Sequence, residues 1–191
     1  MGHFNFERLH TLNFMKTILF LLWLFAVPGT SIFDLSFPGI DGKEVSMTSF
    51  IGKKILITSF NGEAPLKEEF RYMDSLQNNM LDLQIIVIPC ISDRKYSGIV
   101  ESKAMQKSIK SKIIFAAPSL VKKSDEKYQH PLFQWLTNPD NNKVLVIDGQ
   151  PGQYFLISGK GNVYAVFDRG MPYSNLSTAL SDNFDDSKLL K

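Results

Sequence analysis

The sequence predicts one α/β domain in which a mixed central β-sheet is covered by helices, and three observations predict it. Two short, nearly unbroken apolar runs, "KKILITSF" (53–60) and "LDLQIIVIPC" (81–90), have the composition of strands buried on both faces. Between them, "PLKEEFRYMDSLQNNM" places Leu66, Phe70, Met73 and Leu76 at helical spacing, so the three segments form a βαβ unit with parallel strands. Towards the C-terminus, "QYFLISGKGNVYAVFD" reads as two apolar strands joined by Ser158-Gly159-Lys160-Gly161, an antiparallel hairpin.

The remaining elements follow in order. "FDLSFPGIDGKEVSMTSF" alternates apolar and polar residues around Asp41-Gly42, a turn pair that favours a hairpin. Pro65 suits the first turn of the βαβ helix, where its missing N–H costs nothing. "ISDRKYSGIVESKAMQKSIKSK" is polar and reads as loop then helix. Lys103, Lys107 and Lys110 share a face of that helix, the pattern of a solvated surface rather than a binding patch. A short strand is expected near "KIIFAA", and "HPLFQWL" concentrates Leu132, Phe133, Trp135 and Leu136 in a short amphipathic helix. A last helix starts after Pro172, and "DDSKLLK" is a polar tail. A hairpin, a βαβ unit, a second hairpin and a closing helix make up the thioredoxin-like arrangement.

Composition bounds the function. The chain has 191 residues, 44% hydrophobic and 21% charged, enough for one domain with a sizeable core. A net charge of +2 gives no argument for nucleic acid or an acidic membrane surface. One cysteine precludes an internal disulfide and a cysteine-cluster metal site, and only three histidines are present. No cofactor is implied.

The first residues have another character. From Met15, "MKTILFLLWLFAVPGTS" carries one lysine, an apolar run of ten residues from Ile18 to Val27, and then Pro28-Gly29. Gly29 and Ser31 fit a signal-peptidase site, with cleavage expected after Ser31. A spanning helix needs about 20 apolar residues, so an anchor is the poorer reading and no stable membrane span is expected after cleavage. The organisation is therefore a leader over 1–31, a domain over 32–184 and a tail over 185–191. The mature chain is expected to be exported, periplasmic or extracellular. Met1 and Met15 both remain as starts.

Four motifs, in order, carry a resemblance. "FDLSFPGIDGKEVSMTSFIGKKILI", "IIVIPC", "HPLFQWL" and "YFLISGKGNVYAVF" resemble segments of the glutathione peroxidases, a branch of the thioredoxin-like superfamily. The similarity runs from Ile32 to about Leu180. In that family a cysteine or selenocysteine stands at the start of the first main helix, where free N–H groups favour the anion. It attacks a peroxide, and other thiols reduce the product. A Gln, an Asn and a Trp hold the anion and polarise the peroxide.

Carried over residue by residue, the resemblance implies a divergent member without the peroxidatic residue. Ala64 falls where the nucleophile belongs, with Pro65 after it. Counting on from Pro89-Cys90 places Ile91 and Ser92 where the family has Asn-Gln. Counting back from "YFLI" places Gln150 at the Trp position and Pro151 at the Asn position. The two tryptophans, Trp23 and Trp135, fall in the leader and the HPL helix, so neither serves the site. A methyl group at Ala64 cannot be a nucleophile.

Cys90 is the one candidate redox thiol; it is either a packing residue beside the old site or a relocated nucleophile, with Arg94 and Lys95 close in sequence. His130 reads as a helix cap rather than a base, and Glu63 as a solvated carboxylate. Asn175-Leu176-Ser177 matches a glycosylation sequon, relevant only in a eukaryotic source. Three functions stay open at this point. They are an exported glutathione-peroxidase-like protein with a binding or structural role, linked to the oxidative stress response, a weak thiol peroxidase or redox sensor using Cys90, and an unrelated reaction in the old pocket. The partner is a protein or thiol of unspecified identity.

Overall fold

The structure of the protein, a computed structural model, describes residues 30–61, 67–91, 103, 107, 112–142, 147–182, 184 and 186. Residues 1–29 and most of 92–111 lie outside them. Lys103 and Lys107 are helical and exposed, while Lys110 falls outside.

Among the described residues, seven strands and three α-helices with defined bounds follow one another along the chain. A small hairpin pairs β1 (Ser36–Pro38) with β2 (Glu44–Ser46), and Phe37 faces Val45 across it. The Asp41 carboxylate accepts from the Lys43 amide at 3.1 Å, closing the expected turn. The main sheet has the order β5-β4-β3-β6-β7. Its centre is β3 (Lys54–Asn61), parallel to β4 (Leu83–Cys90) and antiparallel to β6 (Tyr154–Ile157). The short β5 (Ile114–Phe115) extends the parallel edge, and β7 (Val163–Phe167) closes the other edge as the hairpin partner of β6. The βαβ unit and the C-terminal hairpin expected from the sequence are both present.

Strand alternation divides the core between the two faces of this sheet. Ile55, Ile57, Ile86, Ile88, Phe155 and Ile157 point to one face, which we call face A. They meet Leu132, Phe133, Trp135 and Leu136 of helix α2 (Pro131–Thr137). Leu56, Leu83, Ile85, Val87 and Leu156 point to the opposite face B. Phe70, Met73 and Leu76 of α1 (Lys67–Asn79) and Leu176 and Leu180 of α3 (Tyr173–Ser181) cover it. The helical spacing of Phe70, Met73 and Leu76 is thus the stripe that buries α1, while Leu66 lies outside the described residues.

Two polar devices fasten the ends. Ser31 caps a 3-10 turn over Ile32–Asp34, with its hydroxyl accepting from Phe33 N and Asp34 accepting from the Ser31 amide. The Trp135 indole donates to the carbonyl of Thr30, so the segment before β1 is tied to α2. At the other end, Asp186 accepts from Ser158 Oγ at 2.6 Å and from Asn162 Nδ2 at 2.9 Å, gripping the turn of the β6–β7 hairpin.

Candidate functional site

Parallel β3 and β4 finish level with each other, Asn61 opposite Cys90, and the chain leaving β3 returns as α1. Beyond the carboxyl ends of parallel strands is where open α/β sheets form their ligand sites. The same end receives the loop that enters β6 and the loop that leaves β7 for α3, since Thr58 pairs with Tyr154 and Tyr154 with Phe167. The topology therefore gathers four segments around one edge.

Of the residues carried over from the sequence, Ala64 and Ser92 lie outside the described residues, as do Glu63, Arg94 and Lys95. Ile91 is half-buried, and its amide donates to the Ser119 carbonyl at 2.9 Å. Gln150 and Pro151 sit in the loop entering β6. The Gln150 side chain is exposed, donates to Asp148 Oδ2 at 3.0 Å, and so spends its amide within its own loop. Two glycines shape that loop. Gly149 packs so closely on Val121 that no side chain has room there, and the Gly152 amide donates to the Ser59 carbonyl at 2.7 Å.

Cys90 ends β4 on face A, among Ile88, Val121 and the residues of α2. It is 3% exposed. Its backbone is held on both sides, because Ser119 N donates to Pro89 O and Ile91 N to Ser119 O, each at 2.9 Å. Burial pushes the thiol up to about 11; Asp125 adds to the rise, while Lys122 and a backbone hydrogen bond with Val121 offset part of it. Such a group is ionised to an extent on the order of 10⁻⁴ at pH 7. Helix α1 packs on face B, so the thiol stands across the sheet from the helix that would activate a family-type nucleophile.

A direct consequence is measurable. A dithiobis-nitrobenzoate reagent should label Cys90 in the folded protein at least ~10²-fold more slowly than in denaturant, because reaction needs an exposed thiolate or an opening of the core. Equal labelling rates in the two states would contradict this placement.

His130 has the capping role its sequence context indicates. It precedes α2, and its Nδ1 accepts from the Leu132 amide at 3.3 Å. The ring is 2% exposed and lies 5.3 Å from Phe37, and burial lowers its pKa to about 4. Among the described residues its Nε2 has no partner, nor does the hydroxyl of Ser59, which strand alternation places on face A.

Sequence reasoning did not single out a second group at this end of the sheet. Glu69, in the first turn of α1, is 8% exposed and accepts a hydrogen bond from the Tyr154 hydroxyl at the start of β6. Burial and this carboxylate raise the Tyr154 pKa. Tyr72 stacks on Tyr173 with ring centroids 4.4 Å apart and donates to its carbonyl at 2.5 Å, fixing the start of α3 against α1. The one sequence signal was "KEEF", two acidic residues beside an apolar anchor, which does not reveal that the second is buried.

Among the described residues no three His, Cys, Asp or Glu side chains converge as metal ligands, and no helix is long and apolar enough to cross a membrane.

No family model matches the sequence, and no curated protein matches it significantly. Solved structures do match. Trgpx in its apo form superposes with a TM-score of 0.60 at 17% identity, covering 79% of this chain and 93% of the other. GPX1 of T. cruzi gives 0.55 at 16% identity, covering 79% of this chain and 94% of the other. The dsbF protein of MTB, in mixed oxidised and reduced forms, gives 0.53 at 14% identity, covering 80% of this chain and 98% of the other. At such identities these likenesses define the fold, and the chain has a thioredoxin-like fold.

Proposed function

We propose that this chain is an exported thioredoxin-fold protein of glutathione-peroxidase type whose peroxidase site is degenerate and whose role is binding or structural, linked to the oxidative stress response. The observation that carries the reading is the placement of the sole cysteine. Cys90 is buried on the face opposite α1, with its thiol held protonated. The fold neighbours include Trgpx, GPX1 and a secreted disulfide oxidoreductase, which makes a redox ancestry the natural setting. Ala64 and Ser92, with Gln150 and Pro151, supply neither the nucleophile nor its donors. The partner is a protein or thiol, and export rests on the Ile18–Val27 run together with the small residues at Gly29 and Ser31.

The test is a hydrogen peroxide assay with thioredoxin or glutathione as reductant, on the wild type, Cys90→Ser and Ala64→Cys. Wild type and Cys90→Ser should match the reagent background. Ala64→Cys should add little, because each missing preorganised donor can be worth ~10²–10³-fold in rate. Robust wild-type turnover that vanishes in Cys90→Ser would make the protein a relocated thiol peroxidase instead.

A further inference from the structure

A cavity of about 280 Å³ opens where α1, the start of β6 and the β7–α3 loop meet, and its lining includes Glu69, Tyr154, Arg169, Met171 and Tyr173. The residues come from three separate parts of the chain, and Glu69, Tyr173 and Arg169 are held in place. Glu69 is buried in α1 with one carboxylate oxygen taken by Tyr154. Tyr173 is fixed by its stack on Tyr72. Arg169 lies along Gly152, where a Cβ would come within 2.8 Å of its Cδ, so the arginine stem fills the space that a side chain at 152 would take.

The charges are arranged unusually. Glu69 and Arg169 line one cavity, yet no ion pair joins them and Arg169 pairs with no carboxylate among the described residues. The second oxygen of Glu69 accepts nothing from those residues either. A buried carboxylate keeps capacity for further donors, and an arginine fork suits a carboxylate. A simple anion drawn to Arg169 would meet the charge of Glu69, and a simple cation at Glu69 would meet Arg169. A ligand that carries both charges satisfies both groups.

We propose that this cavity binds a free α-amino acid with an apolar side chain. Its ammonium group lies against Glu69 and the Tyr173 ring, its carboxylate against Arg169, and its side chain against Met171. The volume falls just below the ~300–1,000 Å³ of sites for drug-sized ligands, which fits a molecule of this size. The amphipathic tyrosines supply apolar area and a cation-attracting ring face. This binding goes beyond the degenerate-peroxidase reading and is independent of it, since no thiol takes part.

Isothermal titration of the full-length protein with L-leucine tests the proposal, alongside L-leucinamide, which lacks the carboxylate, and N-acetyl-L-leucine, which lacks the ammonium. L-leucine should bind saturably and each derivative about tenfold or more weakly, the size expected for one charge-assisted contact. Arg169→Met, which keeps the stem on Gly152, and Glu69→Gln, which keeps an acceptor for Tyr154, should each weaken L-leucine by a similar factor. Because Arg169 is exposed, its variant should unfold at the wild-type temperature and so isolates binding from folding. No heat of binding up to about 10 mM ligand, equal affinity for all three compounds, or undiminished binding by Arg169→Met would overturn the proposal.

Discussion

Stability of the domain should fall by about 3 kcal/mol as pH drops from the mid-sixes to about 4, and His130 is the cause. The ring is buried, its Nδ1 is occupied as the acceptor for Leu132 N, and its pKa lies near 4 instead of the ordinary 6.5. In the neutral ring the proton therefore sits on Nε2, and a second proton would have to displace the cap. The sign follows from linkage. Between the two pKa values the unfolded chain holds a proton on this ring that the folded chain does not, so stability rises with pH across that window. Above it both states are neutral and the histidine no longer contributes a slope. Urea unfolding at several pH values should show about one proton more on the unfolded state near pH 5. In His130→Asn, whose side-chain oxygen can still cap the helix, that proton should disappear from the slope while the helix remains. An unchanged slope in the variant would place the titration elsewhere.

The second large effect is expected at Gly149. Its φ is 74°, in the left-handed region, and a Cβ there would stand 2.3 Å from the Val121 carbonyl oxygen, with Phe133 and Thr137 of α2 at 3.2 Å. A backbone carbonyl cannot swing aside as a side-chain tip can. Gly149→Ala should therefore cost about 3 kcal/mol or more, combining strain with overpacking. Gly42 is the internal control, because its φ is 82° but nothing lies within 4 Å of its Cβ position. Gly42→Ala should cost only the conformational part, about 1 kcal/mol. Thermal unfolding should separate the two variants by several degrees, at ~2–4 °C per kcal/mol for a domain of this size. Equal losses would mean that the β6 entry loop is not wedged against α2.

The fold was legible because its main signals are local. The apolar runs of β3 and β4 need no knowledge of the rest of the chain, and the Phe70, Met73 and Leu76 stripe specifies which side of α1 is buried. His130 announced its cap through the proline that follows it. The site was legible only as far as local pattern reaches. Cys90 could be read as packing or as reactive until strand parity put it on face A, across the sheet from α1. The Glu69–Tyr154 bond spans 85 positions, and Arg169 joins it through a loop whose place depends on a glycine at 152. No period or motif encodes such a meeting, because it arises from the order of strands in the sheet. The hairpin anchored by Asp186 has the same character, since a residue of the polar tail has two long-range partners there.

The bond from Trp135 to Thr30 turns the proposed cleavage near Ser31 into an optical question. Trp135 is 6% exposed, and Trp23, the other tryptophan, falls in the segment we propose to be a leader. A chain cut after Ser31 loses the acceptor of the indole proton and the cap of the first 3-10 turn in the same event. A chain cut before Thr30 keeps both. The emission of one indole thus distinguishes the two mature ends, and the peptide bond that is broken decides whether that fluorophore keeps its partner.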